Sequence, residues 1–61
     1  MTANRFRRLR KEFGLTQGEW ADELEVNQSA VSDWETRVRP IPRYIAKLAG
    51  YVEEELRQRA A

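Results

Sequence analysis

The chain has 61 residues, which supports one small domain close to the lower size limit for folding without a cross-link or metal. It contains no cysteine and no histidine, which excludes a disulfide framework, a thiolate metal site and the commonest general base. Eleven basic and ten acidic residues leave a net charge of +1, but the basic residues cluster in positions 5–11 and 37–43. Segregated charge of this kind favours a one-sided surface for a polyanion.

Apolar residues three and four positions apart predict the first helix. Phe6, Leu9 and Phe13 form one stripe, so we expect this helix to run from about Asn4 to Phe13. Gly14 follows, and glycine suits the left-handed conformation that ends many helices.

A capping box predicts the start of the second helix. Thr16 precedes Glu19 by three residues, so each side chain can bond the backbone amide of the other. We expect this helix to continue to about Leu24, with Trp20, Ala21 and Leu24 facing inward.

Asn27 is a suitable N-cap for a third helix, which we expect from Gln28 to about Glu35. Its inward face carries Val31 and Trp34. This spacing favours core packing for Trp34, and likewise for Trp20, over stacking on nucleic-acid bases.

Two prolines, Pro40 and Pro42, break the chain, and a C-terminal helix is predicted over about residues 42–59. Gly50 lowers the stability of this helix by on the order of 1 kcal/mol relative to alanine, so we expect one continuous helix with a weak point.

The other residues of this helix divide between its inward face and its surface. Tyr51 borders the inward face and is open to a contact with a partner subunit. The carboxylates of 53–55 point in different directions and predict no metal site. The inward stripe consists of Ile41, Ile45, Leu48, Val52 and Leu56.

No strand pattern is present, so the predicted fold class is all-α. We expect a compact bundle of four to five short helices in one domain spanning residues 1–61, with a helix-turn-helix over about 16–35.

The segment from Phe6 to about Leu48 resembles the Cro/C1-type (XRE-like) helix-turn-helix family, the phage-repressor class. The matching positions are Leu9-Arg10, Leu15-Thr16-Gln17, Ala21, Leu24, Val26, Gln28-Ser29, Val31-Ser32 and Trp34-Glu35. The resemblance implies that helix 3 enters the major groove and, in most members, that a two-fold dimer binds a palindromic site. It also implies an internal ion pair between Arg10 and Glu35.

Three positions depart from the family pattern. Glu25 occupies the tight turn where glycine is usual, and a positive φ there would strain the chain by on the order of 1 kcal/mol. Asp33 replaces a basic or amide residue of helix 3. Thr36 and Arg37 replace the Asn-Gly or Arg-Gly turn that is common after that helix.

Four residues of helix 3 are candidates for contacts with DNA bases: Gln28, Ser29, Ser32 and Asp33. Glutamine can pair bidentately with adenine, and serine can donate or accept at several base edges. The alternative for Gln28, Ser29 and Ser32 is a solvated helix surface. Asp33 could accept from cytosine N4 or form an ion pair with Arg37, and the ion pair is slightly favoured.

Contacts with the phosphate backbone are expected from the start of helix 2, the cap of helix 3 and the basic loop before helix 4. The resemblance implies that Gln17 touches phosphate and supports the glutamine of helix 3. The alternative for the loop is a solvated basic surface. The candidate phosphate contacts are Gln17, Asn27, Thr36, Arg37, Arg39 and Arg43.

Taken together, these features predict a sequence-specific DNA-binding transcriptional regulator. We expect a repressor that binds a short palindromic operator in double-stranded DNA as a homodimer, with no enzymatic activity, cofactor, metal or small-molecule ligand. The alternative is a helix-turn-helix protein-interaction module, antitoxin-like or regulator-binding, which the near-neutral charge and Asp33 suggest. A fragment of a larger regulator also stays open.

The sequence has no run of about 18 apolar residues and no signal-peptide pattern at its N-terminus. We therefore expect a cytoplasmic protein without a membrane partner.

Overall fold

The structure, a computed structural model, describes residues 1–60. In these residues there are four helices and no strand: α1 (Ala3–Glu12), α2 (Gln17–Leu24), α3 (Gln28–Glu35) and α4 (Arg43–Ala60). The predicted all-α class is confirmed. The helix-turn-helix formed by α2 and α3 packs against α1 through α3 and against α4 through α2.

Helix α1 begins and ends one residue earlier than the apolar stripe predicted. The Thr2 side chain accepts a hydrogen bond from the Arg5 amide at 3.1 Å, which makes Ala3 the first helical residue. Phe13 is the C-cap and Gly14 adopts the left-handed conformation predicted for it.

The predicted caps of α2 and α3 are both confirmed. The Glu19 amide donates to the Thr16 hydroxyl at 3.1 Å, and the Thr16 amide donates to the Glu19 carboxylate at 2.8 Å. The Asn27 side chain accepts from the amide of Ala30 at 2.9 Å. Local side-chain chemistry therefore sets where both helices of the helix-turn-helix begin.

The first three helices end in the same way. Each is followed by a residue with positive φ: Gly14 at 67°, Glu25 at 56° and Arg37 at 66°. In each case the next amide donates to the carbonyl five residues before it, at 2.9 to 3.0 Å, as in a Schellman motif. The strain expected at Glu25 is therefore present, and Arg37 carries it as well.

We expect Glu25→Gly to stabilise the fold. The left-handed conformation costs a residue with a Cβ roughly 1–2 kcal/mol, and the greater freedom of glycine in the unfolded chain offsets part of that gain. The net gain of up to about 1 kcal/mol should raise the midpoint of thermal unfolding by roughly 4–8 °C. Circular dichroism measures it. The control Glu25→Ala removes the same charge but keeps the Cβ; an equal gain from that variant would contradict the explanation.

An aromatic group forms the centre of the core. The Phe6 ring lies 5.5 Å from the Trp20 ring and 5.9 Å from the Trp34 ring, the second pair edge to face. The core assignment of both tryptophans is confirmed. The buried apolar residues are Phe6, Leu9, Trp20, Ala21, Leu24, Ala30, Val31, Trp34, Ile45, Ala49 and Val52.

Helix α4 continues through Gly50 without a break, as predicted, and begins at Arg43. The carbonyl of Pro42 accepts hydrogen bonds from the amides of Ile45 and Ala46 at 3.0 Å, so the proline precedes the helix and caps it. Of the predicted stripe, Ile45 and Val52 are buried, and Ile41, Leu48 and Leu56 are half-buried against the core.

The acidic segment 53–55 forms separate surface ion pairs. Glu53 binds Arg57 at 2.8 Å, and Arg57 also binds Glu12 of α1 at 2.8 Å. Glu55 lies 3.4 Å from Arg59. Residues 1–60 contain no group of three or more side chains arranged to hold a metal ion, and no helix among them is long and apolar enough to cross a membrane.

Candidate nucleic-acid interface

The four candidate base-contact residues lie on one face of α3. Gln28 and Ser29 are exposed in its first turn, and Ser32 and Asp33 are half-buried one turn later. The buried face holds Ala30, Val31, Trp34 and Glu35. Because the core and the Asn27 cap hold α3 firmly, its outer face is a fixed polar surface.

Gln28 leans over the start of α2. A Cβ placed on Gly18 would lie 3.4 Å from the Gln28 Oε1 atom, so the glutamine amide rests beside the one residue of this turn that has no side chain. No role for Gly18 was predicted from the sequence. A glycine inside a capping box is visible in the sequence. That it provides space for the Gln28 amide becomes clear only when α2 and α3 are packed together.

Asp33 forms an ion pair, but its partner is Arg39 and the predicted pairing with Arg37 is wrong. The Arg39 Nε atom lies 3.1 Å from the Asp33 carboxylate, and both side chains are partly exposed. A pair four residues apart needs a continuing helix, whereas α3 ends at Glu35 and the chain reverses at Arg37. That reversal brings the Arg39 amide to within 3.2 Å of the Asp33 carbonyl.

The ion pair implied for Arg10 and Glu35 is present and bidentate. Arg10 Nε and Nη2 donate to the Glu35 carboxylate at 2.7 and 3.0 Å. The side chains are 14% and 3% exposed, so the pair is largely removed from water. Arg10 also donates to the Leu15 carbonyl at 3.0 Å, and Gln17 donates to Glu35 at 3.2 Å. These bonds join α1, the following turn, α2 and α3.

Four of the six candidate phosphate contacts already bond another group of the described chain: Gln17, Asn27, Thr36 and Arg39. The Gln17 amide group donates to Glu35 and does not bond Gln28, in contrast to the support role that the resemblance implied. The Asn27 Oδ1 atom caps α3, which leaves its NH₂ group as the possible donor to phosphate. The Thr36 hydroxyl donates to the Ser32 carbonyl at 2.8 Å and would have to release it to donate elsewhere.

The basic loop divides into a bound and an unbound part. Arg39 pairs with Asp33, and its guanidinium lies 5.9 Å from the Trp34 ring. Arg37 and Arg43 are exposed and have no ion pair within residues 1–60. These two arginines are therefore the cations of the loop that are open to an external anion.

The comparisons with known proteins bear on this surface. A family model described as helix-turn-helix, of the Cro/C1 (XRE) type, matches residues 6–57. The searches of curated proteins and of solved structures gave no match. The matched range covers α2 and α3 entirely, together with all of the buried core residues. The chain therefore belongs to the Cro/C1-type (XRE) helix-turn-helix family of DNA-binding regulators.

Proposed function

We propose that this protein is a transcriptional repressor that binds a short palindromic operator as a homodimer, with α3 in the major groove. The observation that carries the proposal is the outer face of α3, where Gln28, Ser29 and Ser32 form a rigid polar surface. Side chains of these types can hydrogen-bond base edges, and a two-fold dimer would set its recognition helices about 34 Å apart.

Arg37 and Arg43 would contact phosphates beside that surface. Both are exposed and have no ion pair in the described chain, and Arg43 stands at the N-terminus of α4, where an anion is favoured. Asn27 would add a donor through its NH₂ group. Because Arg39 is held by Asp33 and Trp34, we assign it the role of shaping the loop, with phosphate contact secondary.

A selection experiment tests the proposal. A random duplex pool is bound to the full chain, and the enriched sites and an unselected duplex are titrated by fluorescence at two salt concentrations. We expect an enriched palindrome and binding that weakens steeply with salt. Salt-sensitive binding without enrichment would reduce the protein to a nonspecific DNA binder, and no binding at low salt would remove the proposal.

The phosphate contacts predict a specific salt effect. Arg43→Ala should lower the slope of log affinity against log salt by about 1.8, since each of the two subunits of the bound dimer neutralises one phosphate fewer. The control Arg59→Ala removes the same charge roughly 24 Å further along α4 and should leave the slope unchanged. Equal slopes for the wild type and Arg43→Ala would exclude Arg43 from the interface.

The Asp33–Arg39 pair supports a second candidate function, a protein-interaction module. This pair places an acid on the outer face of α3 and neutralises one cation of the loop, which weakens the attraction of this face for phosphate. A stable complex with another protein, without salt-sensitive DNA binding, would favour this function. The repressor proposal places the protein in the cytoplasm, where a regulator of the phage-repressor class meets its DNA.

A further inference from the structure

One face of α4 is turned away from the rest of the chain. Its inner face packs Ile45, Ala49 and Val52 into the core, whereas the opposite face is exposed along its length. We call this exposed surface the outer α4 face; it consists of Tyr44, Lys47, Gly50, Tyr51 and Glu54.

The outer α4 face carries two large aromatic side chains seven residues apart. Tyr44 is 68% exposed and Tyr51 is 70% exposed, and a spacing of seven places them on the same side of the helix, two turns apart. Tyrosines presented in this way are typical of protein interfaces, because the ring supplies contact area and the hydroxyl stays hydrated.

Nothing within a single chain requires a glycine at position 50. Glycine is among the least favourable residues inside a helix, yet α4 runs through it unbroken. A Cβ at this position would meet nothing within 4 Å, so neither the core nor a neighbouring helix requires its absence. The missing side chain instead leaves open space on the outer α4 face beside Tyr51, which we call the recess at Gly50.

The charges on this face complement a second copy of the same face. Lys47 and Glu54 have no ion pair in the part of the chain that the structure describes, although Glu53, on the neighbouring side of α4, has two such partners. They stand seven residues apart, and their midpoint falls between Gly50 and Tyr51. A two-fold axis at that midpoint brings each lysine to the glutamate of the other copy.

We propose that two copies of this chain associate through the outer α4 face as an antiparallel helix pair. Each Tyr51 ring lies in the recess at Gly50 of the second copy, with a Lys47–Glu54 pair on either side and Tyr44 against the last turns of the second helix. A parallel two-fold pair is disfavoured, because it would place each Lys47 opposite the other Lys47 and each Glu54 opposite the other Glu54. The inference rests on the dimer of the proposed function and names its surface.

The interface is small. One face of an 18-residue helix offers less area than the roughly 1,200 Å² or more that stable interfaces bury in total. We therefore expect reversible association of the free protein in the micromolar range or weaker, strengthened when both copies occupy one DNA site.

Charge reversal tests the pairing without DNA. Sedimentation equilibrium compares the full chain with Lys47→Glu and with Glu54→Lys, and a fluorescent label on one variant follows their mixture. Each variant alone should associate at least about tenfold more weakly, since two like-charge contacts replace two attractive ones. An equal mixture of the two should recover wild-type affinity as a heterodimer, because both contacts are again attractive. The control Lys11→Glu, the same charge change on α1, should associate like the wild type.

Gly50→Ala provides an independent measurement. Alanine fits the open space of the monomer and favours helix, so the unfolding midpoint measured at low concentration should rise. The same methyl group fills the recess for Tyr51, so association should weaken by at least about fivefold. A purely structural role for this position would not lower association while raising stability.

Any of three results would overturn the proposal. The wild-type chain could stay monomeric at about 1 mM, or the mixture of Lys47→Glu and Glu54→Lys could associate no better than either variant alone. The third is that Gly50→Ala associates as strongly as the wild type. Because all of these measurements are made without DNA, they are independent of the operator selection. Failure to enrich an operator would remove the repressor function and leave this interface standing, and the reverse also holds.

Discussion

Arg10→Met is expected to lose about 3–5 kcal/mol of folding free energy, because it leaves the buried Glu35 carboxylate without its cation. The total stability expected for a chain of this length is only roughly 3–9 kcal/mol. The loss therefore amounts to at least about a third of the total stability, and the variant should unfold at a much lower urea concentration than the wild type. Urea unfolding followed by circular dichroism at low temperature gives the difference.

The double variant Arg10→Met/Glu35→Met distinguishes the stability lost with the whole ion pair from the stability lost when one buried charge is left unpaired. It removes both charges at once, so no carboxylate stays buried alone, and it should be clearly more stable than the sum of the two single losses. The control Arg59→Ala breaks exposed pairs with Glu23 and Glu55 and should cost less than about 1 kcal/mol. A loss in Arg10→Met no larger than in this control would contradict the structural role of the pair.

The Arg10–Glu35 pair bears on function because it links α3 to α1 and, through Gln17, to α2. Glu35 ends α3, the helix that we propose reads the DNA bases, and the side chains that bind it come from α1 and from the first turn of α2. The angle between α2 and α3 thus depends on a buried charge cluster as well as on apolar packing. If the double variant folds, its DNA affinity shows whether the cluster also sets the position of α3.

Gln28→Ala is expected to weaken binding to the selected operator by about 1–3 kcal/mol per half-site, a loss of roughly 5–150-fold for each of the two, if glutamine pairs bidentately with a base. Affinity for unselected duplex should be unchanged, because a base contact contributes nothing there. Titrating operators that are substituted one base pair at a time should show relaxed preference at one position of each half-site.

Gly18→Ala is a matched control for Gln28. The added methyl group would touch the glutamine Oε1 atom at 3.4 Å, an ordinary contact distance, so the amide keeps its place and binding should be preserved.

Two other results for Gln28→Ala would contradict a base contact. If this variant weakens binding equally on all duplexes, Gln28 contacts the phosphate backbone instead. No change on any duplex would remove it from the interface.

Local chemistry made most of the helix boundaries predictable. Thr16, Glu19 and Asn27 act on amides within three residues, and the apolar spacing of α1 and α4 follows from the helix repeat alone. Two helices are shifted by one residue: α1 because Thr2, a cap outside the apolar stripe, sets its start, and α4 because Pro42 precedes the helix and caps it. The outer face of α3 was also predictable, because the buried positions Val31 and Trp34 determine which side remains.

Contacts between residues far apart in the sequence could be predicted only through the family resemblance or were found only in the structure. The Arg10–Glu35 pair joins residues 25 positions apart, and nothing in the local sequence indicates it. The partner of Asp33 was predicted wrongly because a local helical rule was applied past the point where the helix ends. The contact between Gln28 and Gly18 depends on the crossing of two helices.

The sequence by itself determined the all-α class, the helix-turn-helix and the polar face of α3, because these depend on interactions within a few residues. Only the tertiary structure decided which polar and charged side chains already have a partner: Gln17, Thr36 and Arg39 are held internally, whereas Arg37 and Arg43 remain open. It also decided which face of α4 remains uncovered. The physical reason is that pairing and burial depend on where distant segments meet, and that position is determined only when the core closes.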